Sequence, residues 1–328
     1  MLELYPWQQP LWRQLVARRQ HAHAYLMQGP AGIGKRVLAE QLAARLLCLQ
    51  PLELSACGAC KSCHLLAAAT HPDLYVLEPE EADKAIKVDQ VRELVDFVVQ
   101  TPQLGGRKLV LLEPAEAMNP NAANALLKSL EEPAGNTIML LISHQPSRLL
   151  PTIRSRCVQQ ACPLPSEAES LAWLQLQQPQ LDDRKALELL LLAGGSPLTA
   201  VRLFGQDVIG QREKVVDGVK KLLKQHISPS QLAESWNALP LPLLFDWFCE
   251  WSQGLLRYQL TSDPATLGLE DMRTVLQYLA EKAAQSKVLA LQDWLLLQRQ
   301  KVLGRANLNR ILLLEALLVQ WASLPAKG

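Results

Sequence analysis

The chain has 328 residues, 49% of them hydrophobic, and its 33 lysines and arginines nearly balance its 32 aspartates and glutamates. This length predicts two or three domains with packed cores, and the composition excludes both an intrinsically disordered chain and a surface that is basic throughout. A net charge of +1 still leaves room for a local basic face.

The N-terminal segment has neither the basic region nor the apolar region of a secretory signal. The longest apolar runs, 187–193 and 311–319, are each interrupted by a glutamate and are shorter than the roughly 20 residues that cross a bilayer. We therefore expect a cytoplasmic protein that has no membrane partner.

Short apolar runs alternate with helical patterns through the first half of the chain, as in a parallel sheet covered by helices. In helix 88–99, Val91, Leu94, Val95 and Val98 share one face. The predicted strands are 24–28, 74–77, 108–112, 137–142 and 158–161, and the predicted helices are 35–48, 88–99 and 121–130.

Prolines at 163 and 165 interrupt regular structure and indicate a domain boundary, after which helices replace strands. A small helical unit follows to about residue 204, and Gly194-Gly195-Ser196-Pro197 separates two of its helices. The rest predicts a helical bundle. Its last helix, 308–321, is apolar nearly all round, so we expect burial on several sides, either within its own bundle or at a subunit interface.

The segment "GPAGIGKR", residues 29–36, has the spacing of a phosphate-binding loop. It follows a predicted strand and leads into a predicted helix, so that backbone N–H groups and the helix dipole would face a polyphosphate. Gly29, Gly32, Gly34 and Lys35 are the candidate nucleotide-binding residues.

Several parts of a hydrolytic site are missing around this loop. Arg36 stands where a hydroxyl normally holds Mg²⁺; it cannot ligate a cation, although it could offset phosphate charge. Glu113, after the strand 108–112, could still hold a metal, whereas Pro114 replaces the acid that orients the attacking water. We expect Glu116 to be a solvent-facing acid.

Four of the seven cysteines lie within 16 residues, in the pattern C-x8-C-x2-C-x2-C. This spacing directs four thiolates at one ion and predicts a closed, structural zinc site formed by Cys48, Cys57, Cys60 and Cys63. A redox pair or unligated buried thiols are the alternatives. A DNA-binding zinc finger is disfavoured, because Lys61 is the only basic residue between Cys57 and Cys63.

Four separated motifs together resemble bacterial clamp-loader subunits of the AAA+ family. They are the phosphate loop, the cysteine module, "NPNAANALLKSLEEP" at 119–133 and "PTIRSRC" at 151–157. The stretch "NLNRILLLE" at 307–315 resembles the family's C-terminal collar.

The resemblance implies an α/β AAA+ domain over 1–163 that carries the zinc module at 48–63, a helical lid over 164–207 and an all-α collar over 208–328. It also implies a ring of five subunits, in which this chain joins ATP-hydrolysing subunits and a delta subunit. The implied task, as part of the DNA polymerase III holoenzyme, is to help open the sliding clamp and place it on primer-template DNA.

Within this family the Ser-Arg-Cys motif sends its arginine into a neighbour's ATP site, which makes Arg156 the candidate catalytic residue in trans. From the sequence alone, a local salt bridge of Arg156 is the alternative. Leu198 stands where hydrolysing members carry a nucleotide-contacting arginine. We expect no ATP hydrolysis by this chain alone and weak or absent ATP binding; the competing hypothesis is an active ATPase that uses its own phosphate loop and Glu113.

Overall fold

The computed structural model describes residues 3–81, 84–104, 106–303 and 308–325. The chain forms two compact units, Met1–Leu203 and Phe204–Gly328, which are described separately below. The first unit contains the sheet and nearly all of the predicted lid. The second corresponds closely to the predicted collar, and a division between AAA+ domain and lid at 163/164 stays a prediction.

Five parallel strands form the sheet of the first unit, in the order β2-β3-β4-β1-β5. The prediction of a parallel α/β fold is confirmed, and β4 is one residue longer than expected. The strands are β1 (Ala24–Gln28), β2 (Leu74–Leu77), β3 (Lys108–Leu112), β4 (Thr137–Ser143) and β5 (Val158–Ala161).

Successive side chains along a strand point to opposite faces of the sheet. Helices cover both faces, so each face has its own core. Leu26 packs in one core with residues of α4 (Val88–Val99) and α5 (Pro120–Glu131), whereas Tyr25 and Met27 pack in the other with residues of α1 (Gln9–Val16) and α2 (Lys35–Leu47). The helices of this unit are α1 (Gln9–Val16), α2 (Lys35–Leu47), α3 (Lys61–Ala67), α4 (Val88–Val99), α5 (Pro120–Glu131), α6 (Pro151–Arg154), α7 (Glu167–Gln177), α8 (Asp183–Leu192) and α9 (Pro197–Gly205).

The apolar face predicted for α4 is present: Val91, Leu94 and Val98 are buried, and Val95 is partly buried against the same core. Within the described ranges, no single helix has both the length and the hydropathy to cross a bilayer. The consecutive pair α8 and α9 meets the two criteria only when taken together, with a bend of 107° between its members.

The second unit is a bundle of helices around an aromatic core. Phe248 contacts Trp251 and Trp321, with ring centroids 5.0 and 4.9 Å away. Arg212 is buried and pairs with Asp271 at 2.6 Å. The helices are α10 (Val208–Leu223), α11 (Pro229–Ser235), α12 (Leu241–Thr261), α13 (Glu270–Lys282), α14 (Gln285–Leu303) and α15 (Arg310–Ala322).

Within its own bundle the last helix, α15, is buried on one face, and burial of its other side at a subunit interface stays a prediction. Its buried residues are Leu313, Leu314, Leu317, Leu318 and Trp321. Ile311, Leu312 and Val319 are 39%, 63% and 53% exposed. Residue 307, the first of the collar-like stretch, lies outside the described residues. Bundle packing therefore accounts for half of the helix and leaves an apolar strip on its other side.

Candidate functional site: the phosphate loop and the zinc module

The phosphate loop occupies the predicted position between β1 and α2. Gly32 and Gly34 have φ angles of 76° and 84°, a backbone conformation that favours glycine. Lys35, the first residue of α2, is only 3% exposed. Its Nζ donates hydrogen bonds to the carbonyl oxygens of Gly29 and Pro30, at 2.7 and 2.5 Å.

The ammonium of Lys35 is thus engaged by the loop itself. Burial lowers its pKa to about 8, although nearby groups, including Glu113 and Glu116, act in the opposite direction. A phosphate-binding lysine needs free donors and a stable positive charge. In this structure two of the three donors of Lys35 bind carbonyl oxygens of the loop itself.

The N-terminal segment covers the end of the loop. Trp7 Nε1 donates to the carbonyl of Ile33 at 2.9 Å, and Gln8 Nε2 donates to the carbonyl of Gly34 at 2.7 Å. A Cβ atom at Gly34 would lie 2.4 Å from the ring of Tyr5, which stacks on Trp7 with centroids 5.0 Å apart. Aromatic side chains therefore pack directly on the loop backbone.

The start of α9 covers the middle of the loop. The backbone N–H of Leu198 donates to the carbonyl of Gly32 at 3.1 Å. A Cβ atom at Gly32 would lie 2.1 Å from Thr199 Oγ1, so only glycine permits this approach. Leu198 does reach the phosphate loop, as its position in the sequence implies, but it contributes a backbone bond rather than a cationic side chain.

Arg36 binds three carboxylates. Its guanidinium lies 2.5 Å from Glu40, 3.0 Å from Glu78 and 3.2 Å from Glu113. The positive charge of Arg36 is therefore neutralised by protein acids. The sequence had also allowed this charge to offset that of a phosphate, but the guanidinium is not directed at one. The arginine also takes one oxygen of Glu113, the remaining candidate for binding Mg²⁺.

Glu113 is the least exposed of these acids, with 18% of its side chain accessible. Burial raises its pKa, while hydrogen bonding and the charge of Arg36 act against that rise. Its other oxygen lies 3.6 Å from His144 Nε2. Pro114 follows directly and has no acid-base function.

Glu116 is not the solvent-facing acid that was expected. Its Oε1 accepts hydrogen bonds from the backbone N–H groups of His144 and Gln145, at 2.8 and 3.0 Å, just beyond the end of β4. Its other carboxylate oxygen is buried and makes no hydrogen bond within the described residues. Glu116 thus satisfies backbone donors that would otherwise be unpaired.

A cavity of about 670 Å³ lies next to this region, between α2, α3 and β2. Arg36, Leu66, Leu74 and Val76 are among its lining residues, which include neither Lys35 nor the glycines of the loop. This space therefore belongs to the side of α2 and not to the phosphate loop.

The four cysteines predicted to bind zinc converge. Their sulfur atoms all lie within 4.8 Å of one another. Cys48 is 3.8 Å from Cys60 and 3.7 Å from Cys63, and Cys57 is 3.9 Å from Cys63. Four sulfurs around a tetrahedral Zn²⁺ with bonds of about 2.3 Å would be separated by about 3.8 Å. The geometry fits a closed zinc site.

Buried polar groups join this module to the sheet. His71 Nδ1 accepts a hydrogen bond from the N–H of Asp73, so the proton of the neutral ring is on Nε2, 2.9 Å from Ser62 Oγ. Ser62 Oγ in turn donates to the carbonyl of Leu47 at 2.7 Å, at the end of α2. His71 is thus structural, and burial lowers its pKa.

Arg156 lies just after α6 and is partly exposed, with 31% of its side chain accessible. Its Nε donates to Glu131 Oε1 at 2.7 Å, its Nη2 pairs with the same oxygen, and its Nη1 donates to the carbonyl of Thr152 at 2.9 Å. The local salt bridge considered from the sequence is therefore present. It is an exposed pair, a kind worth only about 0–1 kcal/mol.

Two features of this site could not be predicted from the sequence. Tyr5, Trp7 and Gln8 cover the loop from a segment about 25 residues upstream, and Glu78 reaches Arg36 from just beyond β2. Neither set of residues forms a recognisable motif. Only the aromatic pair "YPW" at 5–7 marks the first one in the sequence.

Comparison with known proteins agrees with this class of fold, a phosphate-loop α/β domain followed by a helical unit. A family model described as DNA polymerase III, delta subunit, matches residues 7–163, and one described as DNA polymerase III, delta subunit, C terminal, matches residues 206–323.

Curated relatives match over nearly the whole chain. The DNA polymerase III subunit delta' of Pseudomonas aeruginosa is 71% identical over 100% of both chains. Its counterpart in Yersinia pestis is 36% identical, covering 99% of this chain and 97% of the relative, and that of Escherichia coli is 33% identical, covering 96% and 94%. The chain belongs to the family of DNA polymerase III delta' subunits.

Proposed function

We propose that this chain is a non-hydrolysing subunit of a replicative clamp loader. It would help ATP-driven partner subunits, together with a delta subunit, to open the sliding clamp and load it on primed DNA. The observation that carries the proposal is the arrangement of Arg36. Its guanidinium stands at the position of the usual Mg²⁺-binding hydroxyl and holds Glu113 in an ion pair.

Three replacements separately remove parts of an ATP-hydrolysing site. Arg36 replaces a metal ligand, Pro114 replaces the acid that would activate water, and Leu198 replaces a cation that would contact phosphate. The engagement of Lys35 adds a fourth obstacle, because its Nζ donates to the carbonyl oxygens of Gly29 and Pro30 and not to a phosphate.

The chain would still take part in catalysis by donating Arg156 to a neighbouring subunit's ATP site. A guanidinium supplied in trans to a transferring phosphoryl group can be worth about 10³–10⁵ in rate. The exchange is inexpensive, because the exposed pair with Glu131 contributes at most about 1 kcal/mol. A bidentate guanidinium also fits phosphate oxygens as well as it fits a carboxylate.

The test is the ATPase rate of the reconstituted ring with Arg156→Ala, after gel filtration has confirmed assembly. We expect turnover to fall on the order of 10³-fold at the one site that receives Arg156, and the ring to lose that site's share of ATPase. Arg92→Ala, at an exposed arginine of α4, is the control and should leave the rate unchanged.

Glu131→Gln separates the role in trans from the local salt bridge. This variant breaks the same ion pair but keeps Arg156, so ring ATPase should be retained. An equal loss in Glu131→Gln and Arg156→Ala would mean that the arginine acts only through its local fold. Unchanged ATPase in Arg156→Ala would also refute the proposed role.

The alternative function is an active ATPase that uses its own phosphate loop. The presence of Glu113 at the end of β3 favours it, since that carboxylate could bind a metal once freed from Arg36. Hydrolysis by the isolated chain that Lys35→Ala abolishes would establish this alternative and contradict the proposal.

The remaining assignments follow from the same proposal. The four cysteines, Cys48, Cys57, Cys60 and Cys63, would hold a structural Zn²⁺, whose closed shell leaves no position for a catalytic water. The exposed apolar strip of α15 is the surface we assign to contact with neighbouring collars. A cytoplasmic location is part of the proposal, as expected for a partner of the replicative polymerase.

A further inference from the structure

Basic side chains gather at the amino-terminal edge of the sheet, opposite the end that carries the phosphate loop. Because all the strands are parallel, the segments before them meet at this edge. Arg18, Arg19 and His21 lie between α1 and β1, and Arg107 directly precedes β3. The helix α2 runs back from the opposite end, so that Arg45 in its last turn approaches the same edge. We call these five residues the basic edge.

Two arginines of the basic edge have neutral partners. Arg18 donates to Gln160 Oε1 at 2.9 Å and lies 5.2 Å from the ring centroid of Tyr25. Arg45 donates to the carbonyl oxygen of Glu53 at 3.1 and 3.3 Å. Across the part of the chain that the structure describes, no ion pair to a carboxylate is formed by any of the four arginines. Their positive charge is therefore not neutralised locally.

His21 lies close to three of these arginines, Arg18, Arg45 and Arg107. Its Nδ1 lies 3.2 Å from the hydroxyl of Tyr25. The pKa of His21 is lowered, first by burial and then by the charges of Arg107, Arg18 and Arg45. The arginines are thus close enough to His21 to oppose its protonation. Asp73, a buried acid, accepts the backbone N–H groups of residues 103 and 104 and lies 4.0 Å from Lys108 Nζ.

We propose that the basic edge binds the phosphodiester backbone of nucleic acid. The strands β1 and β3 are two places apart in the sheet, so the basic groups spread over about 10 Å. That span suits successive phosphates along a strand better than one small anion. Guanidinium groups that have no carboxylate partner are well suited to bind phosphate groups.

A nucleic acid fits this surface better than an acidic protein segment does. Binding to a phosphate backbone needs little beyond unpaired positive charge. A protein interface normally also needs apolar anchors, and the segments 17–23 and 106–107 contain no large apolar side chain. Leu52 and Leu54, on either side of the Glu53 carbonyl that Arg45 contacts, are exposed, so the comparison with oligoglutamate below decides between the two partners. The inference does not depend on ring assembly or on Arg156, so it can fail without affecting the proposed function.

The test measures binding of fluorescein-labelled oligothymidine to the full-length, zinc-loaded chain by fluorescence anisotropy at graded NaCl. The variant is Arg19→Ala/Arg107→Ala. Each phosphate contact on a single strand contributes about 0.7 to the slope of log K, the binding constant, against log salt concentration. Loss of two contacts should therefore make this slope shallower by about 1.4. Circular dichroism should show an unchanged fold.

Arg92→Ala/Lys221→Ala is the matched control, since it removes the same charge from exposed ion pairs elsewhere. Its slope should equal that of the unaltered chain, and Arg19→Lys/Arg107→Lys should retain binding. An equal loss in the control would show that only net charge matters. No binding at low salt would overturn the inference, and so would tighter binding of oligoglutamate of the same charge, which would indicate an acidic protein partner.

Discussion

The ion pairs of Arg36 allow a quantitative test of how the phosphate loop has been altered. In Arg36→Met the stem of the side chain remains, but Glu40, Glu78 and Glu113 lose their partner. Glu40 and Glu78 are 42% and 53% exposed, and each such surface pair is worth about 0–1 kcal/mol. Glu113 is 18% exposed, and a charge-assisted hydrogen bond in such a place contributes about 1.5–3 kcal/mol. We expect the free energy of unfolding of the first unit to fall by about 2–3 kcal/mol.

The double variant Arg36→Met/Glu113→Gln tests whether Glu113 carries most of this loss. Removing its charge removes the penalty of leaving a half-buried carboxylate unpaired, so the double variant should recover about half of the lost stability. Native-state hydrogen exchange at the amides of β1, β3 and β4 is the suitable assay, because it reports on the first unit without interference from the second.

The effect of Arg36→Met should depend on pH. Burial already raises the pKa of Glu113, and removing Arg36 takes away a charge that opposes this rise. A raised pKa in the folded state means that protonation favours folding. The destabilisation should therefore be complete at neutral pH and shrink as the pH falls through the folded-state pKa toward the ordinary value, about 4.3. A loss that is independent of pH, or that persists in full in the double variant, would refute the reasoning.

The other predictions concern the zinc module and the helical unit. Cys57→Ser should abolish binding of one zinc ion per chain, as measured with a chromophoric chelator. It should also lower the folding free energy of the module by on the order of 10 kcal/mol, as measured by hydrogen exchange in α3. Cys249→Ser, outside the cluster, should keep the zinc. Gly218→Ala places a Cβ atom 2.8 Å from Leu232 and should lower the urea stability of the second unit by about 1–3 kcal/mol, whereas Gly205→Ala, with open space around it, should not.

The sequence predicted those parts of the fold and site that depend on local pattern. The strand bounds follow from short apolar runs, and the phosphate loop follows from its glycines between a strand and a helix. The zinc site follows from the spacing of Cys48, Cys57, Cys60 and Cys63, because two consecutive C-x2-C steps constrain where the sulfurs can go. Each of these features lies within a few residues of chain.

Contacts between distant segments could not be read in the same way. The pair of Arg36 with Glu40 has the i,i+4 spacing of a helix, but Glu78 and Glu113 are 42 and 77 residues away. The position of Glu116 depends on backbone donors at residues 144 and 145, which only the folded sheet brings near it. The covering of the loop by Tyr5 and Trp7 has the same origin.

The central claim is that this phosphate loop does not support Mg²⁺-dependent binding and hydrolysis of ATP. Its most direct test is equilibrium binding of a fluorescent ATP analogue to the isolated chain, with and without Mg²⁺. We expect weak or absent binding that Mg²⁺ does not strengthen and that Lys35→Ala leaves unchanged, because Lys35 and Arg36 are engaged by the protein itself. Tight binding that requires both Mg²⁺ and Lys35 would contradict the account.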